Sequence, residues 1–174
     1  MSRSQVTNVV IAGLGGQGVL KASDILADVA FAAGLDVKKS EVHGMSQRGG
    51  SVASDVRFGE HVYSPMVPDG EADCLVIVSS DQVPVNRHLL KNSGTLLEPA
   101  QVKFEELRNK KTVNVALLGA LSRHLDFPEV AWIEAIRRNF PQTLWNANIE
   151  AFRIGSRSES SPEKSADIAE GGSV

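Results

Sequence analysis

Apolar residues recur along the chain with two different periods, and the switches between them mark the elements. Residues 6–12 form a short apolar run around the β-branched Val9-Val10-Ile11 and end at a glycine, as a buried strand does. Residues 19–33 are apolar around most of a helical circumference, with Lys21, Asp24 and Asp28 in one narrow polar stripe and Gly34 as a C-terminal cap. A helix this apolar calls for cover on most of its surface, by the sheet and by another chain. Residues 36–42 read as a second strand, so the chain opens as a β-turn-α-β unit. Residues 52–58 alternate with period two, and Gly59-Glu60 predicts a tight turn into His61-Val62-Tyr63, an antiparallel hairpin added to the sheet.

Further along, residues 75–78 read as a fully buried strand, and residues 95–97 as another after an Asn92-Ser93-Gly94 turn. Three helical stretches follow. Leu117, Leu121 and Leu125 share one face, Trp132, Ile136 and Phe140 a second, and Trp145, Ile149 and Phe152 a third. Pro128 and Pro141 stand where helices start or break. The expected architecture is α/β: a three-layer, mostly parallel, Rossmann-like sheet with an added antiparallel hairpin and a C-terminal helical part. Residues 1–155 are expected to form a single domain, and residues 156–174, rich in Ser, Glu and Gly, a disordered tail.

Composition narrows the function classes. A chain of 174 residues supports one core rather than two. Its net charge of -3 argues against nucleic-acid binding, which needs a basic surface, and Lys38-Lys39 and Lys110-Lys111 read as solvated edges. Cys74 is the only cysteine and lies in the apolar run Cys74-Leu75-Val76-Ile77-Val78. It reads as a small buried hydrophobe, and one thiol cannot by itself hold an iron–sulfur cluster or a structural zinc. Residues 1–8 lack an apolar signal core, and no run approaches the roughly 18 apolar residues of a membrane span. The expected location is the cytoplasm, with no membrane partner.

Two glycine-rich segments carry the candidate chemistry. Gly13-Leu14-Gly15-Gly16-Gln17-Gly18 fits G-x-G-x-x-G between a strand and a helix. Glycines let backbone N–H groups crowd an anion, and the helix N-terminus adds partial positive charge. A phosphate-bearing ligand and a purely structural turn both remain open on this pattern. Glu41 stands near the place of a ribose-binding acid, but Lys38-Lys39 precedes it and His43-Gly44-Met45 replaces a normal helix start, which speaks against an ordinary nicotinamide dehydrogenase. The second segment is His43-Gly44-Met45-Ser46-Gln47-Arg48-Gly49-Gly50-Ser51. As a loop after a strand it is expected to share a crevice with the first turn, where Arg48 offers two parallel donors to a phosphate or carboxylate. A surface arginine in a glycine-bent loop and a hydrogen-bonded structural His43 are the plainer alternatives. His61, His88 and His124 show no ligand spacing with His43, so no metal site is expected.

Residues 9–19, from Val9-Val10-Ile11 through the glycine turn to Val19, resemble the opening of the gamma-type domain of 2-oxoacid:ferredoxin oxidoreductases. Glu41-Val42-His43-Gly44-Met45-Ser46-Gln47-Arg48-Gly49-Gly50-Ser51-Val52 is similar to the indolepyruvate branch in particular. Tyr63-Ser64-Pro65, Gly70-Glu71-Ala72-Asp73, Asn114 with Leu118-Gly119-Ala120, and Asn148 with Glu150-Ala151-Phe152 and Gly155 continue the match, which runs from about Asn8 to Gly155.

The resemblance implies a small subunit in a complex. A large subunit would carry thiamine diphosphate and iron–sulfur clusters, and would oxidatively decarboxylate an aryl pyruvate to the aryl-acetyl-CoA with coenzyme A as substrate and ferredoxin as acceptor. This chain would bind none of those cofactors alone and would be inactive, or homodimeric, in isolation. The binding residues implied are Gly13, Gly15, Gly16, Gln17, Gly18, His43, Ser46, Gln47, Arg48, Gly49 and Gly50, with no catalytic residue assigned. The alternative is a stand-alone nucleotide- or phosphate-binding module without catalysis. A ubiquitin-activating type of adenylating enzyme shares only the glycine turn.

Overall fold

A computed structural model describes residues 6–44 and 49–158 of the chain. Of the tail expected from residue 156, Ser156 and Arg157 instead continue the last helix, whose end is held by the Ser158 amide donating to the Gly155 carbonyl at 3.1 Å. Residues 159–174, and Ser46, Gln47 and Arg48, lie outside the described residues. Strand β1 (Thr7–Leu14) leads through the glycine turn into helix α1 (Val19–Ala32), then to β2 (Asp36–His43) and β3 (Ser51–Gly59). After β4 (Ala72–Ile77) come the four-residue α2 (Val83–Asn86) and β5 (Leu90–Leu97). Helices α3 (Val113–Ser122), α4 (Glu129–Asn139) and α5 (Trp145–Arg157) complete the described chain.

The fold is α/β around a mixed five-stranded sheet of order β2-β3-β1-β4-β5. β4 runs parallel to both β1 and β5, whereas β3 runs antiparallel to both β1 and β2. Four strands therefore point one way, with β3 reversed between them. The predicted hairpin exists, but its partner differs: β3 pairs with β2, and residues 61–63 form no strand. The cause is visible in the side chains. The Val62 amide donates to the Asp36 carboxylate at 2.8 Å, which ties this segment down as a loop at the start of β2. The opening unit also differs from a simple β-α-β, because β3 separates β1 from β2.

Alternation along β1 divides the core. Val9 and Ile11 face a large cluster containing Ile25, Leu26, Leu117, Leu121, Trp132, Ile136 and Phe152 from the four long helices. Val10 and Ala12 face a smaller cluster with Leu75, Ile77, Leu96 and Val67, to which Val83 of α2 adds. All four long helices pack on the first face, so the layer over the second face is thin: α2 and the 60–71 loop. The apolar surface expected of α1 is taken up within the chain, by the sheet, α3 and α4, and α3 is buried almost throughout. The Gly34 cap is as predicted, with φ 81° and an amide donating to the Phe31 carbonyl at 2.9 Å. The Asn92-Ser93-Gly94 turn instead lies inside β5, where the pairing with β4 shifts register between Ala72 and Cys74.

Candidate functional site

The carboxyl ends of β1, β2 and β4 lie along one crest of the sheet, together with the start of β3. The chain leaves β1 for β2 and β3 on one side and returns with β4 on the other, which makes this crest the place where open α/β sheets bind ligands. The two glycine segments meet there. The Gly15 amide donates to the Gly50 carbonyl at 2.9 Å, and a β-carbon on Gly15 would lie 3.5 Å from the Gly49 nitrogen. The β2–β3 connection is closed by the Gly44 amide donating to the Ser51 carbonyl at 2.7 Å.

The turn spends several of its own groups on its shape. The Gln17 amide donates to the Leu14 carbonyl at 3.1 Å, and the Leu14 amide donates to the Gln17 Oε1 at 2.7 Å. Gly16 and Gly18 adopt φ of 87° and 78°, a region costly for residues with a β-carbon. Gly13 is needed for room, since its β-carbon would crowd Gln17, Val19 and Val78. The amides of Gly16 and Gly18 have no partner among the described residues. With the first amides of α1 they form the donor set that an anion would meet.

Beside these amides lies an open cleft of about 390 Å³, lined by Leu14, Gly15, Gly16, Gly18, Val19, Leu20, His43 and Val52. Its walls are apolar apart from the glycine backbone and the exposed His43 imidazole, whose Nε2 is 3.8 Å from Glu41. Glu41 is removed from any ribose position, because β3 stands between its strand and β1, and it pairs with Lys39 at 3.3 Å. Lys39 also meets Asp24 of α1, so it is a paired residue on the helix-covered face rather than a free edge. Cys74 is buried, and burial, with the Asp73 charge beside it and Lys91 opposing, pushes its thiol up to about 12, which keeps it protonated. Among the described residues no group of three His, Cys, Asp or Glu side chains is placed to hold a metal ion, and no helix is long and apolar enough to cross a membrane.

Two residues at the site carried no assigned role in the sequence. Asn114, at the start of α3, is buried and donates from Nδ2 to the Gly18 carbonyl at 3.0 Å, clamping the end of the turn. A β-carbon on Gly18 would strike that same amide nitrogen. Gln82, buried in the segment after β4, accepts from the Ser51 hydroxyl at 2.6 Å and ties the β4 end of the crest to β3. Asn114 belonged to the matched motifs, which was the one available signal; Gln82 gave none.

Residues 8–102 and 98–158 match the family described as pyruvate ferredoxin/flavodoxin oxidoreductase. An indolepyruvate oxidoreductase subunit IorB from Thermococcus kodakarensis is 37% identical over 190 residues, covering 85% of this chain and 93% of that protein. Among solved structures, a keto/oxoacid ferredoxin oxidoreductase gamma subunit from Geobacter sulfurreducens PCA superposes with TM-score 0.72 at 21% identity, covering 86% of this chain and 95% of the other. A 2-oxoglutarate:ferredoxin oxidoreductase from Magnetococcus marinus, solved with 2-oxoglutarate, coenzyme A and succinyl-CoA bound, superposes with TM-score 0.77 at 19% identity. There the match covers 88% of this chain and 31% of the longer one. The sheet with its reversed β3, the two converging glycine segments and these relationships lead to one conclusion: the chain belongs to the pyruvate ferredoxin/flavodoxin oxidoreductase family, among the indolepyruvate oxidoreductase small subunits.

Proposed function

We propose that this chain is the non-cluster subunit of an indolepyruvate-type 2-oxoacid:ferredoxin oxidoreductase, and that its crest receives part of coenzyme A during oxidative decarboxylation of an aryl pyruvate. Thiamine diphosphate and the iron–sulfur clusters belong, on this reading, to a larger partner subunit, which passes electrons to ferredoxin. The observation that carries it is the junction of Gly15 with Gly49 and Gly50, which sets backbone amides without a partner among the described residues beside an apolar cleft. A phosphate suits the amides of Gly16, Gly18 and the first turn of α1. The methylene and gem-dimethyl groups of a pantetheine arm suit Leu14, Val19, Leu20 and Val52. The crest supplies binding and orientation; bond making falls to the partner's cofactor.

A β-carbon on Gly16 meets nothing within 4 Å among the described residues, so it would occupy space that a ligand approaching the amides needs. In the reconstituted two-subunit enzyme, Gly16→Ala should raise the KM for coenzyme A on the order of tenfold. Gly34→Ala is the control: φ there is 81°, equally open, but it lies at the far end of α1. An unchanged KM in Gly16→Ala, or an equal rise in Gly34→Ala, would remove coenzyme A from the crest.

A further inference from the structure

The second face of the sheet leaves part of its apolar surface uncovered, as the helical side also does at Phe31 and Val130. Tyr63 is 93% exposed, Met66 58%, and Val42 and Val85 54% each. All four belong to this face or to its thin cover. Val42 pairs with Ala53, which pairs with Ala12 of the second core cluster. Val85 lies in α2, whose Val83 packs on that cluster, and Met66 precedes the buried Val67. Parallel strands are ordinarily covered on both faces, and here the covering is four helical residues and a loop.

That loop is held firmly. The Arg57 guanidinium donates to the Ser64 carbonyl at 2.8 Å, to the Met66 carbonyl at 3.0 Å and, through Nε, to Asn8 Oδ1 at 2.9 Å. The Asp55 carboxylate accepts from the Val67 amide at 2.9 Å, and Asp36 accepts from the Val62 amide at 2.8 Å. Three charged side chains of β2 and β3 thus fix the backbone on either side of Tyr63 and Met66 while leaving both side chains in solvent. Ordering a loop before it docks lowers the entropic cost of docking, and tyrosine and methionine are residues that interfaces favour.

We propose that this second face, centred on Tyr63 and Met66, is the surface that docks onto the larger subunit of the oxidoreductase, which would offer an apolar recess for the tyrosine ring and the methionine thioether. The proposal rests on the subunit role proposed above. Two observations favour the large subunit over other occupants. The relatives are themselves named as subunits, and in the Magnetococcus enzyme the same fold makes up 31% of one chain, so the bulk of a larger polypeptide accompanies it. Tyr63 and Met66 sit by Asp36 and Arg57, at the ends of β2 and β3 away from the glycine crest, so docking centred on them leaves the crest open to a ligand.

The test uses the full chain co-expressed and titrated with the large subunit. The double variant Tyr63→Asp with Met66→Asp should weaken binding on the order of tenfold or more, and Tyr63→Ser alone should weaken it measurably. Phe31→Asp is the control, because Phe31 is 73% exposed but sits at the end of α1 on the helix-covered face. It should leave the affinity within about twofold. Thermal unfolding of the isolated variants should match the parent, since neither side chain is buried. If the double variant misfolds, Tyr63→Ser decides. Parent and Tyr63→Ser binding equally would overturn the docking face and leave the subunit role standing. Failure of the parent itself to bind would overturn both. Loss of self-association with binding to the large subunit intact would assign the face to a second copy and overturn the proposal.

Discussion

Gly16 and Gly18 sit at φ of 87° and 78°, and that conformation is what turns two amides outward at the end of β1. The left-handed region costs an ordinary residue about 1–2 kcal/mol. Gly16→Ala is therefore expected to lose about that much stability in denaturant unfolding even though its β-carbon meets no atom of the described residues within 4 Å; a loss near zero would mean that the turn relaxes to an ordinary backbone. Asp55 gives a second residue-scale test. Burial raises its carboxyl above the ordinary 3.8, against the lowering effects of the Val67 amide and Arg57. The folded chain then binds this proton more tightly than the unfolded chain does. The resulting stability is complete below the unfolded value and is lost as pH rises through the raised folded value. Asp55→Asn keeps an oxygen for the Val67 amide and cannot ionise. Its melting temperature should fall less than the parent's as pH rises above the ordinary carboxyl value of 3.8. A variant that falls as steeply as the parent would show that Asp55 is not the titrating group.

Between elements, α3 and α5 meet backbone to backbone. A β-carbon on Gly119 would run into the Phe152 carbonyl oxygen, and one on Gly155 into the Ala116 carbonyl oxygen. Neither obstacle is a flexible side chain, so the helices must separate. Gly119→Ala or Gly155→Ala should each cost at least about 3 kcal/mol, the upper end of ordinary overpacking, read as a fall in the denaturant midpoint. A loss below about 1 kcal/mol would mean that the helices slide past each other freely. This crossing explains why both glycines belong to the matched motifs, although nothing in the local pattern states what they touch. The same division runs through the fold. The strand 7–14, the helix after it, the Gly34 cap and the three late helices were legible because period, caps and turn chemistry are local. The place of β3 was not. Alternation over 52–58 marks a strand but not its neighbour, and the Gly59-Glu60 turn signal was overridden by the hold of Asp36 on Val62. The two glycine segments of the site were legible for the same local reason. The clamp of Asn114 on Gly18 spans 96 positions and could not be.

Taken whole, the molecule covers one sheet face with four helices and the other thinly, and among the described residues it sets unpartnered amides beside an open cleft at one crest. It offers no activated thiol, with Cys74 held protonated near 12. Those features suit a subunit that binds and positions while a partner performs the redox chemistry. The most direct measurement is ferredoxin reduction by an aryl pyruvate and coenzyme A, with this chain alone, with the large subunit alone and with both together. The account predicts turnover only when both are present, dependent on coenzyme A, and no iron in this chain by itself. Turnover by the isolated chain, or a large subunit equally active without it, would contradict the account.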